Sequence, residues 1–274
     1  MLLTERMPSL YVGHGAPTVA IDPDFGQYKM DLRKYGKKFP NPTSVVVVSA
    51  HWQDYLPIQI TGSTKPGIIY DYYGFPDEMY QLKYDFKGDP ELANMISQIL
   101  STHRIDSVIN RDKGIDHGAW IPLREIYPES QIPIIQMSIP VPRTQEYLYK
   151  IGQILAPLRG DGVMFIGSGN IVHNLSHIMG KISSFGNTGA NQSVESWSFE
   201  SDIWVKEQLD DLKIDNLLKS RELMPNFSYA VPTTEHFDPL YFILGTLQNN
   251  ESINHFHESF QYGSISMRSF HTEY

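Results

Sequence analysis

Four valines follow one another without interruption at 45–48, between Ser44 and Ser49. An unbroken apolar run between polar neighbours is the pattern of a strand buried on both faces, as in a parallel sheet covered by helices. β-Branching favours the pleated backbone, and nothing in the run supplies a helical stripe. Shorter apolar runs at 9–13, 58–61, 105–109, 132–138 and 162–167 read the same way. Between them the apolar spacing becomes helical. Phe25, Tyr28, Leu32, Tyr35 and Phe39 predict a helix over 24–39. Asp89-Pro90-Glu91 opens another that runs to about residue 100, with proline at its first position and an acid in its first turn. Helices follow over 121–126, 143–158 and 193–212, the last directing Trp197 and Trp204 to the core, and over 240–247, with Thr233 or Thr234 as its cap. The tail alternates over 252–256 and 262–270, the mark of a hairpin at a sheet edge. A strand–helix–strand crossover is nearly always parallel and right-handed. The pattern therefore predicts an α/β fold: a single domain over residues 1–274, with a central, mostly parallel sheet and helices on both faces.

Composition narrows the function classes. With 274 residues, 41% of them hydrophobic, the chain can bury a large core. It contains no repeat, no flexible linker and no block of like charge. A formal net charge of −9 argues against nucleic acid or an anionic membrane as a general partner. The absence of cysteine removes disulfides, a thiolate nucleophile and any cysteine-ligated zinc or iron–sulfur centre. No apolar stretch approaches the twenty or so residues of a membrane span, and the N-terminus lacks the features of a secretory signal. A soluble cytoplasmic protein is expected.

The candidate chemistry lies in the histidines, of which there are ten. The 9–13 strand delivers His14-Gly15-Ala16-Pro17, and the valine strand stops in small residues and delivers His51-Trp52. Ligands in open α/β sheets bind beyond the carboxyl ends of the strands. If these two strands are neighbours, His14 and His51 converge there. The strand at 162–167 leads to Ser168-Gly169-Asn170 and then His173. His117 stands in Asp116-His117-Gly118, either against a ligand or in a helix N-terminal turn capped by Asp116. His236 follows Pro232-Thr233-Thr234-Glu235. His103, His255, His257 and His271 lie at helix ends or in the alternating tail and read as solvated or structural. His177, four residues after His173, shares its helical face and reads as structural. Neutral imidazole suits several transition metals, so histidines alone leave the metal open. The segment 65–84, with Tyr70, Tyr72, Tyr73, Phe75 and Tyr80 among Gly and Pro, reads as a pocket wall.

Taken together, Gly13-His14-Gly15-Ala16-Pro17, Ser49-Ala50-His51-Trp52, Asp116-His117-Gly118-Ala119-Trp120, Ser168-Gly169-Asn170-Ile171-Val172-His173-Asn174-Leu175 and Pro232-Thr233-Thr234-Glu235-His236 resemble the motif series of the 4,5-DOPA extradiol dioxygenase group, within the class III extradiol ring-cleavage dioxygenases. The five occur in that group's order and reach from residue 13 to 236. The resemblance implies a metal held by His14, His51 and His236, with His173 as acid–base residue or fourth ligand. It implies that His117 faces the substrate or oxygen from behind the ligands. Fe(II) is the metal expected for activity and zinc a possible bound ion. The substrates implied are a small aromatic diol and dioxygen. Catechol dioxygenases more widely use two histidines and a carboxylate, whereas here a histidine stands third, flanked by Glu235 and Asp238. Two other readings are a zinc-dependent hydrolase using the same imidazoles, and a non-catalytic binding protein like the Memo proteins, whose site uses a cysteine that this chain lacks.

Overall fold

The computed structural model describes residues 6–129, 131–179, 189 and 192–274. Its strands are β1 (Leu10–Gly13), β2 (Ser44–Tyr55), β3 (Ile58–Thr61), β4 (Ser107–Asn110), β5 (Ile134–Val141), β6 (Val163–Gly169), β7 (Ser252–His257), β8 (Phe260–Gln261), β9 (Ile265–Ser266) and β10 (Ser269–Glu273). Eight of them form one sheet in the order β4-β3-β5-β2-β6-β1-β10-β7, while β8 and β9 pair separately. The central four, β5, β2, β6 and β1, run parallel, so their carboxyl ends open on one side. At the margins β3 is antiparallel to β5, and β10 lies antiparallel to both β1 and β7.

The valine run shows why the sheet needs cover on both faces. Val45 and Val47 join the core on one side, with Met164, Ile134 and Ile166. Val46 and Val48 join the core on the other, with Phe165 and Ile135. Successive side chains of a strand point to opposite faces, so a strand buried twice carries no polar position. The first face is covered by α1 (Gly26–Gly36), through Tyr28, Leu32 and Tyr35, and by α3 (His117–Ile126), through Trp120 and Leu123. The second is covered by α2 (Pro90–Thr102), α4 (Gln145–Leu155), α6 (Ser196–Asp210) and α10 (Asp238–Thr246). Short helices α5 (Leu175–Met179), α7 (Ile214–Leu218), α8 (Ser220–Leu223) and α9 (Phe227–Ala230) complete the chain. Helices α4 and α10 approach backbone to backbone: a Cβ at Gly152 would stand 2.1 Å from the Phe242 carbonyl oxygen, and one at Gly245 2.0 Å from that of Tyr149. No described helix is long and apolar enough to cross a membrane.

The α/β class and the helix-covered, mostly parallel sheet agree with the sequence pattern; several local expectations do not. The tail does pair with itself at the sheet edge, β7 against β10, but the second strand is 269–273 rather than 262–270, because β8 and β9 fold back on each other in between. Trp197 and Trp204 are only half-buried and pack against the core from outside. Neither Thr233 nor Thr234 caps α10, whose first turn begins at Phe237 without a side-chain cap. Instead Thr234 Oγ1 donates to Asp238 Oδ2 at 3.1 Å. Strand β2 does not stop before His51. It continues to Tyr55 through an irregularity, with Val48 opposite Met137 but Gln53 opposite Ile139. His51 therefore stands in a bulge within the strand, a device that re-aims side chains beside functional sites.

Candidate metal centre

Five imidazoles meet at the carboxyl end of the central strands, each brought by a different piece of chain. His14 directly follows β1, and its N–H donates to the Gly169 carbonyl at the end of β6 over 3.1 Å. Its Nδ1 lies 2.9 Å from Ser168 Oγ. Because the Ser168 hydroxyl donates to the Gly118 carbonyl, that oxygen accepts from His14, which places the proton on Nδ1 and the lone pair on Nε2. His51 reaches from the β2 bulge to within 3.1 Å, Nε2 to Nε2, of His14. His117 is the first residue of α3, and Asp116 caps that helix by accepting from Ala119 N–H at 3.1 Å. Asp71 takes both the His117 backbone N–H, at 2.8 Å, and its Nδ1–H, at 3.0 Å, again leaving Nε2 free. His236 Nδ1 lies 3.2 Å from Glu235 Oε1. His173, in the loop after β6, donates its backbone N–H to the Ala230 carbonyl at 2.9 Å and stacks on His236 with ring centroids 3.5 Å apart.

The rings sit tightly together. Centroid separations are 5.0 Å for His14–His51, 5.4 Å for His14–His236, 4.9 Å for His51–His236 and 4.0 Å for His51–His117. Burial and mutual repulsion disfavour protonation of four of the five rings. Desolvation, then the neighbouring imidazoles, push His14 and His236 well below the usual histidine range. The same causes lower His51 to about 3, and desolvation lowers His173 to about 4. Burial alone would raise the Asp71 carboxyl, but the hydrogen bonds and charge of His117 outweigh it and hold it low. Asp116 moves the other way, raised by its complete burial and by Asp71. Above the cluster opens a cavity of about 740 Å³, walled in part by Tyr72, Tyr73 and Phe75 of the aromatic segment.

Comparison with known proteins shows the family. Residues 4–269 match the family described as the catalytic LigB subunit of aromatic ring-opening dioxygenase. The chain belongs to this family. It is thereby an oxidoreductase of the ring-opening dioxygenase kind. It is 35% identical to the 4,5-DOPA dioxygenase extradiol of Beta vulgaris, over 96% of this chain and 95% of that one. It is 31% identical to the protein of the same name from Escherichia coli (strain K12), over 98% and 96% of the two chains. A crystal structure of an uncharacterized protein from Escherichia coli K12 superimposes with a TM-score of 0.77 at 30% identity, covering 97% of this chain and 99% of the other.

A ring-opening dioxygenase of this family needs a metal, and the donor set suits one. Ligand atoms of His14, His51 and His117 lie within 4.8 Å of one another, as do those of His173, Glu235 and His236. Two imidazole nitrogens, each about 2.1 Å from one ion, stand roughly 3–3.5 Å apart in tetrahedral or octahedral geometry. The 3.1 Å between His14 Nε2 and His51 Nε2 has that spacing. The flanking Asp238 is ion-paired with Arg143, whereas Glu235 borders the cluster through His236.

All five of the histidines singled out in the sequence reach the cluster, and the others lie elsewhere. His177 bonds Tyr229 and Glu195, His257 bonds Asp31, and His255 bonds Asp210. Asp71 was not foreseen as a partner of His117, from which it is 46 residues removed. Its only sequence signal is an acid set among the aromatics of Tyr70-Asp71-Tyr72-Tyr73.

Proposed function

We propose that the protein is a metal-dependent extradiol dioxygenase that opens the ring of a catechol, inserting both atoms of dioxygen. The observation that carries this reading is the 3.1 Å approach of His14 Nε2 and His51 Nε2 inside a buried, five-histidine cluster at the floor of an aromatic-walled cavity. His14, His51 and His236 would hold the metal, their rings lying 4.9–5.4 Å apart between centroids. Fe(II) would supply the one-electron chemistry that ring cleavage by dioxygen requires and that zinc lacks.

The chain's own residues supply binding and proton transfer. Among the described residues His173 makes no side-chain hydrogen bond that competes for its ring, and its lowered basicity keeps it neutral near pH 7. It can take a proton from a catechol hydroxyl and return it when the ring opens, the task of a general acid–base group. Asp71 fixes the His117 ring so that Nε2 faces the cluster and accepts a hydrogen bond from a substrate hydroxyl. Tyr72 packs edge-on against His117 at 5.6 Å between centroids and closes that side to water.

The reading is tested by reconstituting metal-free protein anaerobically with Fe(II), then following oxygen uptake and the ring-opened chromophore on adding 4-methylcatechol. Stoichiometric oxygen uptake is expected with iron and none with zinc. Ester or amide hydrolysis by the zinc form without oxygen, and no uptake with iron, would instead favour the hydrolase.

A further inference from the structure

The candidate ligands are all imidazoles, and a neutral imidazole brings no charge to a divalent ion. A metal-binding histidine usually donates its other ring N–H to an acceptor behind it, and that outer partner tunes the site. Here the acceptors behind the rings differ in charge. His14 has the Ser168 hydroxyl, 2.9 Å from Nδ1. His236 has the Glu235 carboxylate, whose Oε1 lies 3.2 Å from Nδ1. Asp71 faces two rings through one oxygen: Oδ2 lies 3.0 Å from His117 Nδ1 and 3.9 Å from His51 Nδ1.

Neither carboxylate is neutralised by a basic side chain. Among the described residues no lysine or arginine pairs with Asp71 or Glu235, and their ion-pair partners are these histidines alone. Elsewhere the buried carboxylates of Asp202, Asp238 and Glu251 each meet an arginine: Arg268, Arg143 and Arg159. Asp116 is also buried beside the cluster, but its oxygens face Ser49, Gln136 and the Ala119 N–H and bond no ring. Asp71 and Glu235 are half-buried, where charge is screened much less than on the open surface. Two such charges equal that of one divalent cation.

We infer that Asp71 and Glu235 are the charge-balancing pair of the metal centre, supplying from behind the imidazoles the negative charge that a carboxylate ligand would otherwise bring. The inference rests on the metal reading above and adds to it what offsets the charge of an all-histidine site. Neither residue is itself a ligand. For iron, the same two charges stabilise the ferric more than the ferrous state and so lower the potential between them.

Amide variants remove the charge while keeping an acceptor for each ring. In Glu235→Gln the amide oxygen, in the place of Oε1, still accepts from His236 Nδ1 and from the Thr233 hydroxyl, 2.7 Å away. Asp71→Asn keeps an acceptor for His117 Nδ1 and gives up the bond to the His117 backbone N–H. Asp211→Asn, exposed and paired with Lys213, is the control for net charge. The readouts are zinc affinity by competition with a chromophoric chelator, the visible spectrum of the Co(II) form and the midpoint potential of the iron form. Asp71→Asn and Glu235→Gln should each bind zinc about 10-fold more weakly, with a raised iron potential and an unchanged Co(II) spectrum. The control should match wild type throughout. Wild-type zinc affinity and potential in either variant overturns the inference and leaves the metal reading standing. A changed Co(II) spectrum shows that a ligand or its aim was lost, and also overturns it. Failure of the wild-type protein to bind zinc or Co(II) overturns both readings. Should Asp71→Asn not fold, Glu235→Gln decides alone.

Discussion

His173 and His236 stack almost face to face, 10° from parallel, yet their surroundings differ. His236 is tied through Nδ1 to Glu235, whereas His173 is held by its backbone, with no ring hydrogen bond among the described residues. That contrast separates a ligand role from a proton-transfer role. Replacing His173 by alanine should keep bound metal and catechol affinity while lowering turnover about 10²–10⁴-fold, the usual contribution of an acid–base group. Metal content and oxygen consumption measured in parallel on the same preparation check this. Full metal with undiminished catechol-dependent oxygen uptake would remove His173 from the mechanism, and a parallel loss of metal would make it a ligand. At this scale the histidines were legible because each sits at a Gly-, Ser- or Pro-rich junction, where backbone approaches a ligand closely. Asp71 was not legible. Its role depends on a contact made across the fold, and an acid in a turn-rich loop gives no sign of what it will face.

Elements position the cluster through backbone contacts as well as through side-chain hydrogen bonds to the rings. Asn170 N–H, just past β6, donates to the His236 carbonyl at 2.8 Å, fixing the loop before α10 against the strand. The approach requires a glycine: a Cβ at Gly169 would stand 2.0 Å from that same carbonyl oxygen. Gly169→Ala should therefore push the His236 loop off the strand end. An overpacking cost of about 1–3 kcal/mol is expected, with weakened metal retention and an otherwise intact sheet. Equilibrium denaturation together with metal analysis checks this, and a variant with wild-type stability and metal content would refute the clamp. The strands of the central sheet were readable from the sequence because burial on both faces leaves no polar position to confuse the period. The β2 bulge was not, since Trp52 to Tyr55 continue as plausible strand and nothing local marks the register change. Nor was the reversed β3–β4 pair, whose direction is set by packing against β5 and not by its own residues.

Across the whole molecule, buried charge ties the distant ends of the chain to the sheet. Arg159, 1% exposed, donates to the Met7 carbonyl at 2.7 Å, the Thr246 carbonyl at 2.6 Å, Thr272 Oγ1 at 2.9 Å and Glu251 Oε2 at 2.8 Å. Arg159→Met would strand the buried Glu251 carboxylate and should cost about 3–5 kcal/mol in urea denaturation. A second device makes stability depend on pH far from the metal centre. His271 on β10 is 1% exposed, lies among Tyr35, Phe39 and Phe256, and has Lys38 Nζ 3.1 Å from its Nε2. Desolvation, and then the Lys38 ammonium, lower it to about 4. Unfolded, the same imidazole titrates near 6.5. Between those values the unfolded chain binds the extra proton, so the contribution of this group is fully present above about pH 6.5 and declines as pH falls toward 4. His271→Gln, which keeps an acceptor for Lys38 and cannot titrate, should be less sensitive than wild type over that interval. Urea midpoints of the metal-free proteins at pH 7.5, 6, 5 and 4 make the comparison without interference from metal release. Equal pH slopes in the two proteins would show that His271 titrates alike folded and unfolded, and that its burial against Tyr35 and Phe39 imposes no proton-linked cost.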